Sequence, residues 1–419
     1  EDDDYKYKIE ILKDKLNYKK EIENIKDYTS FLYESGNVSI SKLENFMRCP
    51  FSYFINYGLR AKEREVYDFS PADYGTYCHK IFDDFFKGVY ENNIDWNTID
   101  REFIQREVEK LTAKMAEKSN FILESSPKYK YFSSITHKNI VESIEIMAEQ
   151  VRRGNFIPTG FETEFGDESI KPISYTLKNG KDIKLVGKID RIDVFKGENS
   201  DFLRIIDYKS SKRDIDLNQV YAGLQLQLFV YMNAILSSNK DRYKPAGLFY
   251  SDFTTNLVGF ETYSKMLDMS DDSFYSEKLK KNKLTGFVIK DMELLKNLDK
   301  TLEENRLISE ILPIKLKSKG QEIGAGTLGL TTDEFEIVNE FVLNKTKDIC
   351  EEIYDGNIDI KPFRYKDKKP CDYCKYNSIC RFDIKHNKYN NIKNLLTKDK
   401  PNEVFEKMEL KNKEKRGEK

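Results

Sequence analysis

Gly187-Lys188-Ile189-Asp190-Arg191-Ile192-Asp193 and, 17 positions after Asp190, Ile205-Ile206-Asp207-Tyr208-Lys209 decide how this chain is read. Both stretches have the composition of β-strands. Under period-two alternation Val186, Asp190, Ile192 and Val194 share a face, which sets a carboxylate in line with an apolar row. Asp207 and Lys209, two residues apart, project together on the face of Leu203 and Ile205. The segment Lys196-Gly197-Glu198-Asn199-Ser200-Asp201 between the strands is a turn by composition, so the pair is expected to form a hairpin. Singly, each acid reads as a solvated strand residue. Jointly they do not, because a buried carboxylate without a cation is costly. Two acids and a lysine on one surface make a divalent-metal site with a cation beside it, the minimum apparatus for hydrolysing a phosphodiester at neutral pH.

Two helical stretches flank this hairpin. Gln227-Leu228-Phe229-Val230-Tyr231 lies in an apolar run from Val220 to Leu236, and Gln227 and Tyr231 are i, i+4 partners on one helix side. Upstream, Asp73-Tyr74-Gly75-Thr76-Tyr77-Cys78-His79-Lys80 opens a helix whose apolar stripe is Cys78, Ile81, Phe82, Phe85, Phe86 and Val89. His79 falls at the edge of that stripe, where its ring can reach out of the core. The chain has three His, and neither His137 nor His386 has a comparable setting.

These motifs, G-x-x-D-R-x-D, D-Y-K-S and Gln-Leu-x-x-Tyr, resemble the RecB-like branch of the PD-(D/E)XK nucleases. The resemblance implies an α/β fold with a restriction-endonuclease-like core, a mixed sheet flanked by helices. It implies that His79, in a Gly-x-x-x-His match starting at Gly75, holds a metal with Asp190, Asp207 and the backbone carbonyl of Tyr208. Lys209 is then the catalytic lysine, and Gln227 and Tyr231 orient the DNA strand. Glu164, in Gly160-Phe161-Glu162-Thr163-Glu164-Phe165, matches the family's additional acid, with Glu162 as the alternative. The ion is expected to be one or two Mg2+, or Mn2+.

Three of the six Cys cluster as Cys371, Cys374 and Cys380, and Cys49 lies far upstream in Asn45-Phe46-Met47-Arg48-Cys49-Pro50-Phe51. Thiolates at C-x2-C spacing favour zinc or an iron–sulfur cluster, and spacing alone does not choose between them. A zinc site built from Cys371, Cys374, Cys380 and His386 would be self-contained. Against it stands a resemblance to the AddB family of bacterial helicase–nuclease subunits, from about Val38 to about Asp383. That family places one Cys before the nuclease core and C-x2-C-x5-C after it, which implies a 4Fe–4S cluster on Cys49, Cys371, Cys374 and Cys380. Such a cluster would staple together segments more than 300 residues apart, where loop closure removes the most entropy in theory. Cys78 and Cys350 sit in helix-like apolar patterns and read as small core residues.

Composition sets compatible bounds. At 419 residues and 39% hydrophobic, the chain can bury a substantial core. No apolar run approaches the ~20 residues of a membrane helix. Lys and Arg number 70 against 72 acids, which argues against a DNA-coating protein but not against a nuclease whose basic groups line a channel. Free thiols and the absence of a signal segment point to a cytoplasmic setting. The start at Glu1-Asp2-Asp3-Asp4 suggests a piece of a longer protein. No G-x-x-x-x-G-K-[ST] occurs, and Gly320 to Gly329 reads as a turn-rich connection.

The expected division is a helical lead-in over 1–36, a nuclease domain with its iron–sulfur cluster over 37–385, and a charged tail over 386–419, solvated or disordered after 397. Residues 90–153 carry helical periodicity and read as an insertion flanking the core. The polar segment 210–216 follows Lys209 directly and is well placed to touch a phosphate backbone. Asp333 to Ile353 reads as an amphipathic helix with its N-cap at Thr331 or Thr332. The function expected, as the resemblance implies it, is a metal-dependent DNA exonuclease domain acting on single strands or unwound duplex ends in double-strand-break resection. The resemblance adds an AddA-like helicase–nuclease partner. The alternatives are a stand-alone single-strand exonuclease and a non-cutting DNA- or partner-binding scaffold of the same fold.

Overall fold

The computed structural model describes residues 2–17, 25–62, 70–118, 126–166, 170–239, 242–253, 271–302, 306–317, 322–396 and 402–418. Its centre is an eight-stranded mixed sheet: β1 (Asn37–Ser39), β2 (Ile157–Phe165), β3 (Ile173–Thr176), β4 (Asp182–Lys196), β5 (Asp201–Lys209), β6 (Tyr243–Asp252), β7 (Thr285–Ile289) and β8 (Gly329–Leu330). The order is β1-β4-β5-β6-β7-β8, with β2 and β3 also paired to β4. At 15 residues β4 is long enough to serve four neighbours. Its first part pairs with β1 and β3, and its second part with β2 and β5. The expected hairpin is present, since β4 and β5 run antiparallel with Lys196 opposite Asp201. β6 then lies parallel to β5, reached through the helix Gln227–Ser238. This α/β core with helices around a mixed sheet is the expected fold class.

The helices that matter for the site are α1 (Ile40–Arg48), α2 (Pro71–Glu91), α3 (Pro127–Arg152), α4 (Gln227–Ser238), α5 (Thr332–Tyr354) and α6 (Glu403–Arg416). α2 begins two residues before the expected start. Ser70 and Asp73 form a reciprocal capping box and Pro71 takes the first turn, where its missing N–H costs nothing. Its apolar stripe is buried as expected, and Phe82 packs against the rings of Tyr208 and Phe253. α5 carries the expected cap at Thr331, again reciprocated, by Glu334. Cys78 and Cys350 are core residues. Within 90–153 the described residues form helices over Arg101–Lys118 and α3, and α3 contributes Ile140, Val141, Ile144, Met147 and Val151 to the main core.

β4 shows where period-two reasoning was incomplete. Val186, Asp190, Ile192 and Val194 do share a face, but the opposite face is more deeply buried: Ile183, Leu185, Ile189, Arg191 and Asp193. There Arg191 grips Asp193 with two hydrogen bonds of 2.6 and 2.7 Å, and Arg204 of β5 adds a third of 2.8 Å. Phe86 lies 4.5 Å from the Arg191 guanidinium and Phe156 lies 5.3 Å from that of Arg204. One carboxylate between two guanidiniums, roofed by aromatic faces, keeps these charges tolerable inside the core.

Described segments on both sides of the expected nuclease domain pack on it. Residues 25–36 already pack on the domain, with Thr29 Oγ1 donating to the Tyr354 carbonyl and Tyr33 set against Tyr53 and Tyr354. At the other end, Asn390–Asn391 pairs with Phe363–Arg364, and the Leu395 amide donates to Asn218 Oδ1 at 2.6 Å. The tail is helical over Glu403–Arg416 but is not solvated all round. Val404, Met408 and Asn412 are buried on α5, and Asn412 Nδ2 donates to the Ile337 carbonyl at 3.0 Å. Arg416 pairs with Glu340 at 2.5 Å and Lys415 pairs with Asp348. Two apolar residues spaced one turn apart sufficed to dock a helix that mean composition described as solvated.

Candidate active site

Strand pairing builds the site. Arg191 lies opposite Ile206 and Ile192 opposite Ile205, so one step along the register brings Asp190 across from Asp207 on the same face. Asp190 Oδ2 accepts the Tyr208 amide at 2.8 Å and lies 3.4 Å from His79 Nδ1. The His79 ring stands edge-on to Tyr208 at 5.6 Å and Phe253 at 5.8 Å, which fixes its plane. The Lys209 ammonium lies directly against the Asp207 carboxylate and 3.4 Å from Gln227 Oε1. Gln227 Nε2 in turn donates to the Tyr231 hydroxyl at 2.7 Å.

The electrostatics follow from burial. Asp207 is 1% exposed. Burial pushes its pKa up to about 6, and the Asp190 charge adds to this against the opposing pull of Lys209 and His79. For His79 burial opposes protonation, but the hydrogen bond and charge of Asp190, with the charge of Asp207, win and raise its pKa. Two carboxylates forced together at the rim of a core are a site that gains from a cation. Their oxygens with one imidazole and the Tyr208 carbonyl suit a hard divalent ion. Among the described residues, no three His, Cys, Asp or Glu are grouped as a ready metal site. The Lys209 ammonium supplies the positive charge beside Asp207 in this arrangement.

The sequence-derived set is thus partly assembled. His79, Asp190, Asp207, Tyr208, Lys209 and Gln227 come together. Tyr231 does not reach the surface: at 5% exposure it packs on Phe165 and presents its hydroxyl to Gln227, so contact with a strand falls to Gln227. Glu164 is exposed, opposite Lys188, and Glu162, at φ 41°, pairs with Lys188 at 2.7 Å. Neither glutamate pairs with the Asp190, Asp207 and Lys209 group among the described residues. Sequence reasoning missed Glu44, and it placed Arg213 only within the polar segment 210–216 without singling it out. Glu44 Oε1 accepts the amides of Leu226 at 2.8 Å and Gln227 at 3.1 Å, and its Oε2 lies 3.6 Å from Arg213 Nη2. The signal was available, because Ile40, Leu43, Glu44 and Met47 form an i, i+3, i+4, i+7 stripe in which one position is an acid.

The structure brings Cys49 close to Cys371, Cys374 and Cys380. Cys49, Cys371, Cys374 and Cys380 all line one cavity of about 610 Å³, walled by Phe51, Ile360 and Phe382. The segment after Cys49 is tied to the C-terminal segment by the Phe51 amide, which donates to the Asp359 carbonyl at 3.1 Å. Burial raises the pKa of Cys49, and burial with the three other thiols pushes Cys371 up to about 11. Thiols that resist ionisation in this way become good ligands once a cationic centre sits among them. His386, the fourth ligand of the zinc reading, is exposed and does not line the cavity. The donor set present therefore fits a four-thiolate group.

Comparison with known proteins agrees with this geometry. The profile described as the PD-(D/E)XK nuclease superfamily matches residues 37–381. The chain is 37% identical over 388 residues to an ATP-dependent helicase/deoxyribonuclease subunit of Clostridioides difficile (strain 630), covering 90% of this chain and 33% of that protein. Against the protein of the same name from Caldanaerobacter subterraneus subsp. tengcongensis it is 37% identical over 399 residues, 93% of this chain and 34% of that one. For its namesake in Thermoanaerobacter sp. (strain X514) the identity is 39% over 366 residues, 85% and 31%. The chain thus spans about a third of the length of these relatives. Among the described residues no helix is long and apolar enough to cross a membrane.

Proposed function

This chain belongs to the PD-(D/E)XK nuclease superfamily, and on that premise we propose that it is a Mg2+- or Mn2+-dependent deoxyribonuclease domain, acting within an ATP-dependent helicase–nuclease during double-strand-break resection. The observation that carries this reading is the convergence of Asp190, Asp207, His79 and Lys209 where burial has raised the Asp207 pKa to about 6. His79, Asp190, Asp207 and the Tyr208 carbonyl would hold the ion. When bound, a divalent ion lowers the pKa of a water and offsets charge on the phosphoryl group.

The chain's own residues do the rest. The Tyr208 amide orients Asp190 through its 2.8 Å hydrogen bond. Lys209, held against Asp207 in this structure, would donate to the attacking water or to a phosphoryl oxygen. Gln227, its amide held by Tyr231, positions Lys209 and meets the DNA strand. Cys49, Cys371, Cys374 and Cys380 would hold a 4Fe–4S cluster that closes the two ends of the domain on each other. An AddA-like subunit is the expected partner, as the names of the relatives speak of a subunit. Incubating the protein with labelled single-stranded DNA and Mg2+ tests the reading: cleavage abolished by EDTA is expected. Robust cleavage in EDTA, or binding without cleavage in Mg2+, would overturn it.

A further inference from the structure

Arg213 stands in the polar loop after Lys209, and three separate elements hold it. Its guanidinium lies 5.1 Å from the centroid of the Tyr250 ring on β6, and Lys209 lies 5.5 Å from the same centroid. Its carbonyl accepts a 2.5 Å hydrogen bond from Thr285 Oγ1 on β7. Glu44 of α1 faces its Nη2 at 3.6 Å. Glu44 cannot close into a two-pronged grip, because its other oxygen is taken by the amides that open α4. A guanidinium has five N–H donors, and a single carboxylate oxygen at that distance leaves most of them without a hydrogen bond. The side chain is 25% exposed, so solvent reaches part of it. Asp207 is near enough for its charge to act on Arg213.

We propose that Arg213 is a second phosphate-facing cation of this site, offering its planar fork to the non-bridging oxygens of a DNA phosphodiester. The proposal rests on the nuclease reading and extends it. Glu44 is the positioning residue: it fixes Arg213 with one oxygen and the start of the Gln227 helix with the other. Lys209 and Arg213 then approach a phosphate from neighbouring points above Tyr250, one as a point charge and one as a bidentate donor. Arg213 is anchored by Glu44, Tyr250 and the Thr285 hydroxyl before substrate arrives, so its fork needs little reorganisation.

The test compares the parent with Arg213→Ala, Arg213→Lys and Glu44→Gln. Affinity for a single-stranded oligonucleotide is measured in Ca2+ across a KCl series, cleavage in Mg2+, and melting temperature in both. Arg213→Ala should lower the salt slope by about 0.7, one phosphate contact on a single strand, and lower kcat about a hundredfold, with part of the rate restored by millimolar guanidinium. Arg213→Lys should keep the slope but lose at least about tenfold in rate, because charge remains and the fork does not. Glu44→Gln keeps an oxygen for the α4 amides, so it should lose rate without losing melting temperature. A parent-like slope and rate in Arg213→Ala would overturn the proposal while leaving the nuclease intact. So would a rate loss matched by a lower melting temperature and not rescued by guanidinium. A parent protein that binds but never cuts would instead remove the nuclease reading itself.

Discussion

Replacing Asp207 with Asn should make the protein more stable in EDTA at pH 8, although it destroys the site. Asp207 is 1% exposed and its pKa is pushed from 3.8 up to about 6, first by burial and then by Asp190. An acid whose folded pKa is raised binds its proton more tightly when folded, so native stability falls as pH rises from about 4 through 6. Above that range the ionised group costs about 3 kcal/mol, and roughly half of that at pH 5. Asn stands in for the neutral acid at every pH, so its advantage should grow across the same window. The pull of Lys209 and His79 is already contained in that shift, so a gain of up to about 3 kcal/mol is expected at pH 8. Urea unfolding at pH 5 and pH 8 in EDTA measures it. Millimolar Mg2+ should then stabilise the parent and not the variant, by mass action on the folded state alone. A variant less stable than the parent at pH 8, or a difference independent of pH, would refute the account of Asp207 as a carboxylate strained for want of a cation.

Lys209→Ala should abolish cleavage without weakening Mg2+ affinity, as read by single-turnover kinetics and calorimetric titration, and should lower stability in EDTA at pH 8, because it removes the cation that eases the buried Asp207 carboxylate. Purified anaerobically, the protein should be brown with iron and sulfide near four per chain. Cys49→Ala should lose that colour and His386→Ala should keep it, whereas one zinc and indifference to Cys49 would reverse the assignment. Asp193→Ala leaves two buried guanidiniums facing each other and should cost about 3–5 kcal/mol in urea unfolding; a cost below about 1 kcal/mol would show that water reaches the triad. Met408→Ala should cost about 2–3 kcal/mol, or nothing at all if α6 is detached in solution.

The amino-acid sequence by itself determined the hairpin of β4 and β5, the helices of His79 and Gln227, a cap at Thr331 or Thr332 and the trio Cys371, Cys374 and Cys380, while Cys49 joined that trio only through the family resemblance. These rest on local rules: alternation along a strand, one helix face every three or four residues, a turn of Gly, Asn, Ser and Asp, and the spacing of thiols. Asp190 and Asp207 were legible because they interrupt apolar rows at fixed offsets within two adjacent strands. The tertiary structure alone decided what depends on distant partners. Glu44 meets Leu226 across 182 positions, and no local pattern says which helix start a buried acid will cap. Tyr231 and Gln227 look equivalent on a helix wheel, yet Phe165 covers one and leaves the other toward the cleft. No local pattern marks Arg191 and Asp193 as buried, and only the fold shows Arg204, Phe86 and Phe156 enclosing them. The helix Glu403–Arg416 is polar on average but docks through Val404 and Met408, because α5 offers a complementary apolar face. Burial and pairing are properties of both surfaces in a contact, and a single segment carries only its own half of that information.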